Sequence, residues 1–472
     1  MTFKQRRILF FICFGLFLLA APIVILYSQG YRFDFSKKRF ELTGAFFLKV
    51  KPRSYSVYLD NKKARQKTDL FGATLIDGLL PKQYQLAVKK DNYFNWTKNL
   101  FAGNDKVIEA KNIVIFPEKI TVSILETTAE KFFVSPDQKK AVCQSDNVLK
   151  FYNLSANDSY SSDQETNGQE NLSIDKTIFS DDSRRALIEA TINDKKEYFF
   201  ADFPLANTPE NNSVRITLLP QSLSFFLKDA IDVSFSPNSR EEIIFLKNGS
   251  LWAGNVQENN LTLKIAGATA YFIYKKDIYY LDGQGFIFKT NNGFSYSEKI
   301  NRAAFPSKQG SFYRLMVFNE KIFLKEDDCL YFLDQKNNSF EKLIESVKFV
   351  SAAKDGKKIA IGLWSEIWLF YLENEENQPQ RKTNELVFLN RFSENIGGLS
   401  WLNDHYLIFS LKGKPTISEI DNRDRLNVCQ PAFIDSQNNQ LETEKIDFLW
   451  NSVSRRIYFF YENAVYRSNP VF

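Results

Sequence analysis

The chain has 472 residues and a net charge of +5, with hydrophobic, charged and aromatic residues at 44%, 25% and 15%. That mix can bury a core and excludes a disordered, collagen-like or coiled-coil chain. Phe 45 and Tyr 21, set against Gly 19, Met 2 and His 1, favour strands, because bulky aromatics fit a pleated, half-buried surface.

Residues 1–7 form a leader with Lys4, Arg6 and Arg7 and no acid. From Ile8 to Tyr27 the chain carries no charge. About 20 residues at ~1.5 Å each cover the roughly 30 Å hydrocarbon core, so residues 8–27 read as one transmembrane helix with the lipid bilayer as partner. A cleaved signal ends its shorter apolar region at a small-residue site. Here Ala20-Ala21 runs on into Pro22 and five more apolar or aromatic residues, which fits an uncleaved anchor. The basic leader places the N-terminus in the cytoplasm and the bulk of the chain outside the cell membrane. Tyr27 and Tyr31 then lie at the outer interface.

Residues 28–118 form a first unit. Arg32 to Leu42 reads as a tight hairpin around Ser36–Lys38. Three alternating strands follow, with Phe46, Leu48 and Val50, then Tyr55, Val57 and Leu59, then Tyr84, Leu86 and Val88 each sharing a face; period two marks a half-buried sheet, and Asp60-Asn61 and Asp77-Gly78 read as its turns. The unit is expected to be a small sandwich or open barrel. The run Pro52-Arg53-Ser54-Tyr55, Val57-Tyr58-Leu59-Asp60-Asn61, Thr68, Gly78-Leu79-Leu80-Pro81, Tyr84, Asn92-Tyr93 and Trp96 resembles a PEGA domain. It departs at the eponymous Pro-x-Gly-Ala turn (Arg53, Ser54, Tyr55), at Asp69 after Thr68, where that family carries Pro, and at Lys82 and Asn92, where it carries Gly. The resemblance implies a small, non-catalytic β-domain of cell-surface proteins.

Residues 119–472 repeat a polar turn followed by an alternating apolar strand: SPDQKKAV at 135, SDDSRRALIEA at 180, SPNSREEIIFL at 236, YKKDIYYL at 274, FNEKIFL at 318, AKDGKKIAIGLW at 353, LNDHYLIFSL at 402 and NSVSRRIYFFY at 451. Seven steps separate Asp137 from Ser452, a mean period of about 45 residues, near that of a four-stranded propeller blade. These motifs resemble Tol-type and WD-like β-propellers, although no copy closes a strand with Trp-Asp. Eight turns point to eight blades, with seven as the alternative. The last repeat stops near Arg467, so the apolar stretch 112–125 is expected to supply the missing outer strand of the last blade and remove the free edges. The polar stretches 155–175, 206–213 and 373–384 read as surface loops or partly disordered insertions.

Arg32 to Glu118 carries 17 Lys or Arg and 9 Asp or Glu, net +8, whereas the chain beyond Glu118 is net −6. Lys62, Lys63, Arg65 and Lys67 are the candidate contact with anionic lipid or wall polymer, weighed against an ordinary solvated loop. An acidic ring in this compartment is a poor match for nucleic acid.

No nucleophile elbow, zinc-protease helix, phosphate loop or dinucleotide fingerprint occurs. Asp282–Gly285 and Asp421–Asp424 lack calcium-loop spacing and read as turns. His405 reads as a plain surface or packing residue before a ligand, and Trp252, Trp364, Trp368, Trp401 and Trp450 as blade core before sugar platforms. Cys13, Cys143, Cys329 and Cys429 form no disulfide framework; one bridge among the last three stays open. No cofactor is implied. The whole reads as an all-β ectodomain behind one transmembrane helix, a non-enzymatic envelope scaffold whose propeller binds a protein. Binding of a cell-wall or surface polysaccharide is the alternative, and a propeller glycosidase the least favoured reading.

Overall fold

The structure is a computed structural model describing residues 3–65, 67–68, 72–155, 158–162, 172–204, 213–237, 239, 241–258, 260–441 and 448–472. Its first element is a helix over Phe3–Ser28, long and apolar enough to cross a membrane, with none of it buried against the rest of the chain. The helix ends where Gly30 takes φ +88° and its N–H donates to the Tyr27 carbonyl at 3.2 Å, a left-handed conformation that glycine adopts without a Cβ penalty.

A two-stranded hairpin, Tyr31–Asp34 against Arg39–Leu42, comes next. Two four-stranded sheets follow. One orders Val107–Val114, Gly44–Lys51, Ala73–Leu79 and Lys67–Thr68; the other orders Lys62–Lys63, Ser56–Leu59, Gln83–Lys89 and Trp96–Phe101. Phe46, Leu48 and Val50 from the first meet Val57, Leu86, Val88, Trp96 and Leu100 from the second in one buried cluster. The unit is therefore a sandwich, with the apolar face of each alternating strand turned to its partner sheet.

Beyond Glu118 the described residues form eight four-stranded antiparallel meanders, of which the first two join into one eight-stranded sheet through the parallel pairing of Asp158–Ser162 with Ser213–Leu218. Seven run consecutively from Ala129 to Cys429. The eighth takes Phe448–Asn451, Arg456–Tyr461 and Ala464–Ser468 and adds Lys119–Glu126 as its outer strand, with Val122 opposite Ser468 and Ile124 opposite Tyr466. Ala432–Ile434 extends that sheet in parallel.

What joins the units is apolar burial between neighbours. Val142 and Phe151 of the first unit pack on Ile174 and Ile188 of the second, Leu187 and Phe200 of the second on Phe235 and Phe245 of the third, and Ile244 of the third on Tyr271 of the fourth. The series continues through Tyr279 with Leu315, Phe323 with Phe370, Ala360 with Trp401 and Ile408 with Phe459. Tyr458 and Val465 of the eighth unit then pack on Ala141 and Cys143 of the first. Eight interfaces for eight units close a ring, which is a β-propeller. First strands of neighbouring units touch one another, as Ala268–Tyr274 does with Tyr313–Phe318, so they line the axis.

Three expectations need correction. The strands after the polar turns do not alternate: Ile243, Ile244, Phe245 and Leu246 are all buried, because each blade is covered on both faces by its neighbours. The stretch 112–125 is not one strand. Residues up to Val114 belong to the sandwich, and the strand of the last unit is Lys119–Glu126. The 373–384 loop is ordered and reaches the sandwich, where Gln378 Oε1 accepts from the Glu109 N–H at 3.1 Å. Of the other two polar stretches, 163–171 and 205–212 lie outside the described residues. All four cysteines are free.

The polar turns hold the blades together through a repeated device. Asp137, Asp182 and Asp355 each accept a backbone N–H two residues on and pair with a base three residues on: Lys140 at 3.5 Å, Arg185 at 3.4 Å and Lys358 at 2.6 Å. Each base then lies 5.4–5.8 Å from an aromatic ring of the next unit, Phe203, Phe235 or Trp401. Sequence turn, ion pair and blade-to-blade packing are one motif.

Candidate functional site

A four-stranded meander has two ends. Turns after the first and third strands sit at one end; turns after the second, and entries to the first, sit at the other. The sandwich grips the first of these ends at the sixth and seventh units. Strand Trp96–Phe101 turns Trp96, Lys98 and Leu100 to its buried face. Trp96 Nε1 donates to Glu419 Oε2 at 2.8 Å, and Lys98 Nζ meets Glu419 Oε1 at 2.7 Å with the two side chains 0% and 4% exposed. Lys98 also donates to the Asp421 carbonyl at 2.6 Å, and Asn427 Nδ2 to Thr97 O at 3.1 Å. Burial pushes the Glu419 carboxyl upward, while Lys98 pulls it back; the hydrogen-bonded pair satisfies charges that would be costly alone.

The candidate calcium loop Asp421–Asp424 is part of this clamp. Arg423 Nη2 donates to Asp421 Oδ2 at 2.6 Å and Arg423 Nη1 to the Glu109 carbonyl at 2.8 Å, and Asp424 Oδ2 accepts from the Asn99 N–H at 2.7 Å. At the other candidate, Asp282 Oδ1 accepts from Gln284 N and Phe286 N, an Asx turn. Among the described residues no group of three His, Cys, Asp or Glu side chains is placed to hold a metal.

His405 lines a cavity of about 50 Å³ between sandwich and ring, with Lys358, Tyr406 and Glu419. That holds a few waters and is far below the roughly 300 Å³ of a small-molecule pocket. Burial and the nearby Lys358 cation hold the His405 imidazole below its usual 6.5.

At the opposite end a depression of about 520 Å³ is bounded by Ile231, Gly249, Gly283, Lys308, Phe312 and Tyr313, among others. Ile231 is 45% and Phe312 51% exposed. Among the described residues no carboxylate and no Trp lines it. Of the tryptophans, Trp401 and Trp450 are buried and donate to Ser351 O and Leu402 O of the preceding unit. Trp364 is exposed, but Lys348 Nζ stands 3.6 Å from its ring centroid.

Lys62, Lys63 and Arg65 are exposed. The short strand Lys62–Lys63 is at the sheet edge opposite Trp96–Phe101, away from the clamp. Lys67 begins the Lys67–Thr68 strand in the facing sheet, opposite Leu75, and its side chain lies outside the described residues. The structure thus puts Lys62 and Lys63 on one edge, with Arg65 two residues beyond the strand.

No family model and no curated protein matches the chain. Among solved structures, Sqt1 of Saccharomyces cerevisiae aligns at 12% identity over 76% of this chain and 100% of its own, with a TM-score of 0.46. BamB from Moraxella catarrhalis aligns at 9% identity over 74% and 96%, with 0.38. Porphyromonas gingivalis dipeptidyl peptidase 4 aligns at 9% over 71% and 56%, with 0.44. The β-propeller assignment stands on the closed ring of sheets.

Proposed function

We propose that the chain is a single-pass envelope protein in which a PEGA-like sandwich, residues 28–118, mounts an eight-bladed propeller, residues 119–472, in a fixed attitude and offers the propeller's free end to a protein partner. The observation that carries this reading is the buried clamp at Lys98 and Glu419. A ring held by a desolvated ion pair and a set of interdomain hydrogen bonds is a rigid platform, not a tethered one. The free end then presents a broad depression with exposed Ile231 and Phe312, and apolar anchors within a polar surround are what protein interfaces use. The N-terminus is cytoplasmic and the two β-units lie outside, with the exposed Lys62, Lys63 and Arg65 available to anionic lipid or wall polymer. Polysaccharide stacking is disfavoured because the exposed Trp364 already carries a lysine over its face.

Crosslinking in membranes that contain the full chain, followed by mass spectrometry, tests the reading. Protein adducts at Lys308 and Lys348 that disappear in Phe312→Arg are expected. Retention on isolated wall material without protein adducts overturns it in favour of the polysaccharide reading.

A further inference from the structure

The hairpin between helix and sandwich is built inside out. Its register sets Arg32 opposite Glu41 and Asp34 opposite Arg39, with Tyr31 opposite Leu42 and Phe33 opposite Phe40. Alternation then puts Arg32, Asp34, Arg39 and Glu41 on one face and Tyr31, Phe33, Phe40 and Leu42 on the other. On the charged face the two acids are covered, beneath the exposed Lys37 and Arg39 that pair with Glu41. Asp34 is 8% and Glu41 6% exposed. Glu41 Oε1 meets Arg39 Nη2 at 2.6 Å and Lys37 Nζ at 3.0 Å, and Asp34 Oδ1 accepts from the Ser36 N–H at 2.8 Å. Arg32 on the same face lies against Gly78 of the sandwich, with Nε 3.7 Å from where a Cβ would stand.

The aromatic face is the open one. Phe33, Phe35 and Phe40 are 38%, 84% and 40% exposed, and Phe33 contacts both others edge-on, at 5.1 and 5.3 Å between centroids. Among the described residues no third strand joins the hairpin, and an isolated two-stranded ribbon is marginal in water. The ribbon is nevertheless fixed to the helix end. The Arg32 guanidinium lies 3.3 Å from the Tyr27 ring centroid and donates to Tyr27 O at 3.0 Å. Thr43, just past the second strand, donates to Gly30 O from both N and Oγ1, at 3.0 and 2.6 Å. An aromatic cluster held rigidly at the end of an apolar helix, beside exposed Lys37, Lys38 and Arg39, has the composition of a membrane-interface anchor: apolar rings below, cations level with lipid phosphates.

We infer that the Tyr31–Leu42 hairpin is a second membrane contact, inserting Phe33, Phe35 and Phe40 into the lipid interface beside the helix. This rests on the proposed membrane-spanning reading of Phe3–Ser28. The insertion fixes the tilt of the sandwich, and with it the propeller, relative to the bilayer.

The test uses the full chain in vesicles of phosphatidylcholine and phosphatidylglycerol, with photoreactive p-benzoylphenylalanine replacing Phe14, Phe35 or Phe312 in turn. Phe14 reports on the helix and Phe312 on the ring's free end. Lipid adducts at Phe14 and Phe35, and roughly tenfold fewer at Phe312, are the expected result. Lipid adducts at Phe14 with none at Phe35 overturn the hairpin contact alone; so does a Phe35 adduct to a second copy of the chain or to another protein. Absence of lipid adducts at Phe14 overturns the spanning helix and the hairpin contact with it.

Discussion

Lys98 and His405 are where single side chains decide most. Lys98→Ala strands Glu419 as a buried, unpaired carboxylate, for an expected loss of about 3–5 kcal/mol in urea unfolding of the purified chain. The double variant Lys98→Met with Glu419→Leu is expected to recover most of that loss, since it removes both buried charges; no recovery would show that the pair is not the source. His405 sets a pH dependence. Its folded value lies below 6.5, so the unfolded chain takes up the proton first as pH falls, and stability present above about pH 6.5 is lost below it. His405→Gln is expected to flatten the slope between about pH 7.5 and about pH 5.5. As the only imidazole in the chain, its ring protons give one NMR titration, expected to centre below 6.5. Of this clamp the sequence offers only Trp96, through the PEGA resemblance, and nothing that singles out Lys98. The partner was not legible, because Glu419 is 321 positions further along and only the docking of two units brings it there.

Among the elements, the polar turns were read directly, since Ser-x-Asp followed by a base three residues on is a local device. Their effect differs with burial. Asp355→Ala leaves Lys358, whose side chain is 1% exposed, without its counter-ion and is expected to cost about 3 kcal/mol. Asp182→Ala, at a carboxylate 44% exposed, is expected to cost at most about 1 kcal/mol. Chemical denaturation of the two variants side by side checks the contrast, and equal losses would remove the distinction. Period two misleads for the strands behind the turns, because it presumes one wet face. Ile243 to Leu246 have none, and Ile243 faces the second unit while Ile244 faces the fourth. The sandwich strands Ala73–Leu79 and Val107–Val114 escaped notice for another reason. Asp77-Gly78, which reads as a turn, lies inside the first, and the second pairs in parallel with Gly44–Lys51, a partnership no hairpin signal marks.

For the molecule as a whole, closure is the property that matters. Val122 is 3% exposed within the seam between the seventh and eighth units, whereas Ser123 beside it points outward. Val122→Asp is expected to open the ring, seen as new protease cleavage after the seventh unit, while Ser123→Asp leaves the digestion pattern unchanged; identical patterns would mean that Lys119–Glu126 does not seal the ring. The strand that seals it is made early and waits. Glu126 leaves the ribosome about 340 residues before its partner strand Ala464–Ser468, an interval of roughly 20–70 s at ordinary elongation rates. Throughout that interval a bare strand edge stands beside the growing chain, open to any strand that arrives first. The fold thus carries a built-in queue, in which the seven intermediate units must each take their own place before the earliest strand can be claimed.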